Sequence, residues 1–179
     1  MTYCVGMVLD EGLIFASDSR TNAGVDHVAT FRKMNVIAVP GERQIVLLNA
    51  GNLATTQSVV SLLKSRLGHN APNLHNVASL YEAAELVGKT IREVLARDGN
   101  GSTQGQGVDF SCSFLVGGQI RGEAPRLFQI YPQGNFIEAT PDTPYLQIGE
   151  SKYGKPILDR VISHRTPLAQ AIKCTLISF

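Results

Sequence analysis

Thr2, Asp18 and Lys33 are the residues whose types and spacing could carry chemistry. Thr2 follows the initiator methionine and precedes a β-prone run. A small residue in that place favours removal of Met1, which would put a hydroxyl and a free α-amine on one residue. Such an amine has an ordinary pKa of about 7.7–8.0, so a useful fraction of it is neutral at cell pH and can act as general base for its own hydroxyl. A neighbouring lysine would hold the amine neutral by like-charge repulsion and stabilise developing negative charge. A carboxylate is then needed to fix the lysine. Asp18 closes the second β-prone run and Lys33 opens the third, so hairpin pairing can bring both to the start of the first. The same residues also read as an ordinary chain start and a solvated ion pair, and spacing alone does not separate the two readings.

Other chemistries lack their residues. No GxSxG, HExxH or Walker A pattern occurs, and the glycine-rich stretch 99–107 has no following Lys-Ser/Thr, so it reads as a loop. His27, His69, His75 and His164 are scattered in polar stretches, none at metal-ligand spacing, and no metal or cofactor is expected. Cys4, Cys112 and Cys174 are odd in number and contain no CxxC, which excludes a disulfide framework and the usual structural zinc spacing. Cys112 lies in an apolar run and reads as a small buried hydrophobe. An amidase built on Cys4 would need three residues removed ahead of it.

The elements that must position these residues follow from periodicity. Residues 3–17 read as a hairpin with its turn at Asp10-Glu11-Gly12, and residues 17–24 as a polar loop. Residues 33–39 and 44–49 form a second hairpin around Pro40–Arg43. Leu53, Val60, Leu63 and Leu67 then recur at helical spacing behind Asn52 as N-cap, and Val77 to Leu95 make a second helical face. Gly88 within that face costs helix stability but lets another backbone approach. β character returns at 108–116, 126–131, 136–140 and 145–148, with turns expected at Gly117-Gly118 and 132–135. Helices are expected over roughly 155–163 and from Thr166, as N-cap, with Pro167 at the first helical position. Strands, two long helices, strands and helices in that order can pack as helix, sheet, sheet, helix. The last helix reaches Phe179 with its apolar stripe still running, so the chain reads as short by a further strand pair.

Composition bounds the class. The chain has 179 residues, with 16 Lys and Arg against 15 Asp and Glu, a net charge of +1. That length suits one domain. The charge balance argues against a dedicated nucleic-acid binder, and 44% hydrophobic residues argue against disorder. No apolar run is long enough for a membrane span and the N-terminus lacks a signal-peptide pattern, so a cytoplasmic location is expected. A charged fraction of 17% suggests that other chains cover much of the surface.

Several runs together resemble a proteasome β-type subunit. They are Thr2–Gly6, Phe15–Arg20, Lys33-Met34 and Asn49–Gly51, with Ser17–Gly24 and Ile148–Arg160 pointing more closely to the bacterial Anbu (ancestral β-subunit) relatives of the HslV-type peptidases. The likeness spans essentially the whole chain. It implies an α+β fold, the four-layer αββα sandwich of two antiparallel sheets found in Ntn hydrolases. It implies a threonine-type endopeptidase in which Thr2 is the nucleophile after loss of Met1, Lys33 tunes the amine and Asp18 holds Lys33. Gly51 matches the glycine whose N–H serves as oxyanion donor, and Asn22 the loop position that pairs with an extended substrate. Arg20 would brace the loop.

The resemblance also implies self-association into a ring or helical oligomer acting on peptide or protein substrates, with any unfolding ATPase a separate protein. Two departures qualify it. Gly149-Glu150-Ser151 stands where a Gly-Ser-Gly is usual, so Glu150 takes the serine's place unless Ser151, a candidate supporting residue, shifts in. The family's supporting Asp and Ser, three residues apart, do not occur before residue 179, so the chain reads as one proteasome-type domain over 1–179 short of its C-terminal portion. With Met1 retained, the nitrogen of Thr2 would be an amide without a basic lone pair. A catalytically silent scaffold subunit is the alternative that this form would represent.

Overall fold

Hydrophobic alternation in the strands sorts the chain into layers. The computed structural model describes residues 2–22, 28–99 and 109–179, and the side chains of these apart from 21, 22, 28, 29 and 99. Strands β1 (Tyr3–Leu9) and β2 (Gly12–Ser17) form the expected hairpin. β1 pairs on its other side with the late strand β10 (Tyr145–Gly149), giving a three-stranded antiparallel sheet in the order β10-β1-β2. β5 (Met34–Val39), β6 (Arg43–Gly51), β7 (Cys112–Ile120), β8 (Arg126–Ile130) and β9 (Phe136–Glu138) form a five-stranded antiparallel meander in chain order.

Successive side chains of a strand point to opposite faces, and β6 uses both. Ile45 and Leu47 enter the core shared with helices α1 (Leu53–Ser65) and α2 (Leu80–Gly99). Val46, Leu48 and Ala50 face the other way and meet Cys4, Leu146 and Ile148 of the smaller sheet. The far face of that sheet, through Val5, Met7 and Leu9, packs on Leu158 of α3 (Gly154–Val161) and Ala171 of α4 (Leu168–Ser178). The order helix, sheet, sheet, helix is thus the αββα sandwich expected from sequence.

Glycines mark where the layers come closest. A Cβ on Gly6 would stand 2.9 Å from Leu127 Cδ1 across the two sheets. Gly88 of α2 lies against the backbone of Gly134, the close approach foreseen for it.

Three sequence expectations change. Residues 17–24 are not all loop: β3 (Arg20–Asn22) pairs antiparallel with β4 (Val28–Thr30), a short ribbon with no apolar alternation to announce it. Gly117-Gly118 is no turn, because β7 runs through both to Ile120. A Cβ on Gly117 would meet Arg126 O at 2.8 Å and Phe15 Cζ at 2.9 Å, so the glycine answers to sheet packing. Thr166 does not cap α4. Its hydroxyl accepts from Ser163 N–H at 2.8 Å, Pro167 holds the cap position, and the Leu168 N–H donates to Glu11 Oε2 at 2.8 Å. By contrast Asn52 caps α1 as expected, accepting from Thr55 N–H at 3.1 Å.

Candidate active site

The β1–β2 hairpin and the start of β5 bring the three sequence candidates together. In the hairpin register Cys4 faces Ser17, which leaves Asp18 alongside Tyr3. The Tyr3 N–H donates to Asp18 Oδ1 at 2.9 Å, and the Asp18 N–H returns a bond to Tyr3 O at 3.1 Å. Lys33 precedes β5 and is only 5% exposed. Its ammonium donates to Asp18 Oδ2 at 2.5 Å and to Arg20 O at 2.6 Å. A buried cation needs a counter-charge and hydrogen-bond acceptors, and Lys33 has both. Its carbonyl is tied down too, accepting from the Asn49 N–H at 3.1 Å and from Asn49 Nδ2 at 3.0 Å.

Thr2 stands at the mouth of this arrangement, half-buried. It lines a cavity of about 340 Å³ shared with Lys33, Asn49 and Gly51. Gly51 ends β6 at φ 108°, opposite Cys112, where a Cβ would stand 2.5 Å from Ser111 O. Only glycine suits that conformation and that space. It leads through Asn52 into the first turn of α1, so positive helix-end dipole faces the cavity wall.

Burial governs the nearby thiol. Cys4 is inaccessible, donates to Asn49 O at 3.6 Å, and its pKa is pushed up to about 12, mainly by desolvation and further by the charge of Asp18. It is a neutral core thiol next to the site, unsuited to nucleophilic work.

The other candidates are placed as follows. Asn22 lies in β3 opposite Val28, and its side chain lies outside the described residues. Arg20 offers its backbone carbonyl to Lys33. Ser151 is exposed at the start of the turn into α3 and does not line the Thr2 cavity. Glu150 reaches Thr2 through its backbone: its N–H donates to Thr2 O at 2.7 Å, while its Oε1 accepts from the Lys152 N–H at 2.9 Å. Gly149 makes that contact feasible. It has φ 88°, and a Cβ there would overlap the Thr2 carbonyl. Sequence reasoning did not assign Gly149 this place, although a glycine ending a β run directly before a polar turn was the available signal. Among the described residues no group of three or more His, Cys, Asp or Glu could hold a metal ion.

The same architecture recurs in known proteins. Residues 2–176 match the family profile described as proteasome subunit. Anbu from Yersinia bercovieri is 64% identical, with a TM-score of 0.91 over 98% of this chain and 72% of that one. The helical assembly of the Anbu complex from Pseudomonas aeruginosa is 60% identical with a TM-score of 0.93, again over 98% and 72%. Anbu from Hyphomicrobium sp. strain MC1 is 50% identical with a TM-score of 0.88, over 99% and 73%. The comparison with curated proteins gave no match. On these grounds the chain belongs to the proteasome-subunit family and, within it, to the Anbu (ancestral β-subunit) proteins.

Proposed function

We propose that this chain is an N-terminal-threonine hydrolase subunit that cleaves peptide (amide) bonds once Met1 has been removed, in the cytoplasm and within a self-assembled oligomer. The observation that carries the reading is the shared cavity of Thr2 and Lys33, with Lys33 buried and fixed by Asp18 and by Arg20 O. A cation held there repels a second positive charge, which favours the neutral form of a nearby amine. In the reading, the free amine of Thr2 takes the proton of its own hydroxyl as Oγ1 attacks the substrate carbonyl. The N–H of Gly51 and the helix end behind it stabilise the oxyanion. The amine then passes the proton to the departing substrate nitrogen, leaving an ester on Thr2. Water, deprotonated by the same amine, cleaves the ester and restores the hydroxyl. Asn22 would pair with the extended backbone of the substrate, a strand-addition contact, and Ser151 would support the nucleophile if the turn before α3 shifts. Self-assembly is supported by the helical assembly of the Pseudomonas aeruginosa relative.

The test is intact mass of the assembled protein together with amide hydrolysis by the wild type and Thr2→Ala. The expected result is a mature chain beginning at Thr2 and activity lost in the variant. Uniform retention of Met1, with no labelling by a threonine-directed electrophile, would assign the chain to a silent scaffold instead.

A further inference from the structure

The charges around the Thr2 cavity do not cancel. A second cavity, of about 470 Å³, shares Arg32, Lys33 and Asn35 with the first and extends to Lys64. Among the described residues lining the two cavities there are three cations and one carboxylate, Asp18. Asp18 is committed to Lys33 at 2.5 Å. Arg32 and Lys64 therefore remain, and no described carboxylate lies within ion-pair distance of either. Lys64, itself exposed, donates to Asn35 Oδ1 at 2.8 Å, and Asn35 lines both cavities. The remaining lining of the first cavity is neutral: small polar groups such as Thr56, Gln57 and Ser61, beside Leu53 and Val60. A cavity with uncancelled charge of one sign focuses the field on whatever enters it.

We propose that this paired cavity accepts an acidic side chain, Glu or Asp, of the substrate, with Arg32 and Lys64 as its counter-charges. The identification of the neighbouring bond as the one attacked rests on the reading of Thr2 as nucleophile; the binding preference does not. Arg32 is exposed, so each cation contributes the modest attraction of a solvated ion pair, and the two together amount to a preference of about tenfold at low salt. That preference shrinks as salt rises.

The experiment uses the full chain, assembled, carrying Thr2→Ala so that binding is read without turnover. Three dye-labelled peptide amides, identical except for a central Glu, Gln or Lys, are titrated by fluorescence anisotropy. The expected order is Glu tightest, by about tenfold over Gln, with Lys weakest. Arg32→Gln and Lys64→Gln, each first shown to melt at the parent temperature, should each cut the Glu-over-Gln margin to about threefold. Equal affinity for Glu and Gln, tighter binding of Lys, an unchanged margin in both variants, or no binding of any peptide would overturn the proposal. Loss of hydrolysis in the wild type with the Glu preference intact would overturn the nucleophile reading alone.

Discussion

Asp18 ties Lys33 to the backbone of the first strand: one carboxylate oxygen takes the lysine ammonium at 2.5 Å and the other takes the Tyr3 N–H at 2.9 Å. The lysine is therefore placed relative to the residue that follows Thr2, and a change at Asp18 is felt by both.

Asp18→Ala leaves a buried ammonium with the Arg20 carbonyl as its remaining partner. Removing one member of a buried pair costs about 3–5 kcal/mol, and the 22% exposure of the Asp18 side chain puts this pair near the lower end. For a chain of this length about 3 kcal/mol lowers the melting temperature by roughly 6–12 °C. Differential scanning calorimetry measures it, and a shift under about 2 °C would contradict the buried-pair account.

Gly149→Ala and Gly68→Ala share a positive φ, 88° and 78°, but only the first has the Thr2 carbonyl where the methyl would go. Nothing lies within 4 Å of a Cβ on Gly68. Gly68→Ala should cost the conformational term alone, about 1–2 kcal/mol. Gly149→Ala should cost more and also displace Thr2, which on the proposed reading of Thr2 as nucleophile slows its reaction with a threonine-directed electrophile by at least about tenfold. Equal denaturation midpoints for the two variants would refute the close contact.

The cysteines should alkylate in order of access. Cys4 and Cys112 are buried and burial pushes both up to about 12, whereas Cys174 is half-buried. Iodoacetamide on the native protein at pH 8, read by peptide mass spectrometry, should modify Cys174 first. The sign for stability follows. A thiol whose pKa is higher folded than unfolded contributes fully below the unfolded value, about 8.5, and loses that contribution as pH rises towards 12. Cys112→Ala should therefore show a shallower decline of melting temperature with pH above 9 than the wild type.

Glu11→Ala removes the acceptor of the first N–H of α4. An N-terminal cap is worth about 1 kcal/mol, so a fall of roughly 2–4 °C is expected, while Thr166→Ala tests the hydroxyl bonds to Ser163 and Val161 rather than a cap.

How much of this was legible in the sequence depends on how local each cause is. The β1–β2 hairpin, the Asn52 cap and the helical stripes of α1 and α2 rest on neighbouring residues and read correctly. Thr2, Asp18 and Lys33 could be proposed as a group because hairpin pairing is predictable and the family resemblance is strong. The cap of α4 could not, since Glu11 comes from the other end of the chain and Thr166-Pro167 offered a plausible local substitute. Gly117-Gly118 looked like a turn because its true reason, the approach of Phe15 and Arg126, is tertiary. The β3–β4 ribbon carries no apolar alternation, so its pairing left no periodic trace.

The sheet that begins directly after Thr2 joins distant stretches of the chain, since β1 spans Tyr3–Leu9 and β10 spans Tyr145–Gly149. During synthesis the early hairpin can form as soon as it emerges, but the Gly149 and Glu150 backbone that seats Thr2 is made only after β2 to β9. Non-local pairings form only after the intervening chain is available to close the loop. A nascent chain thus carries Thr2 from the start, yet the backbone that seats it is in place only after β10 has been made and has paired with β1.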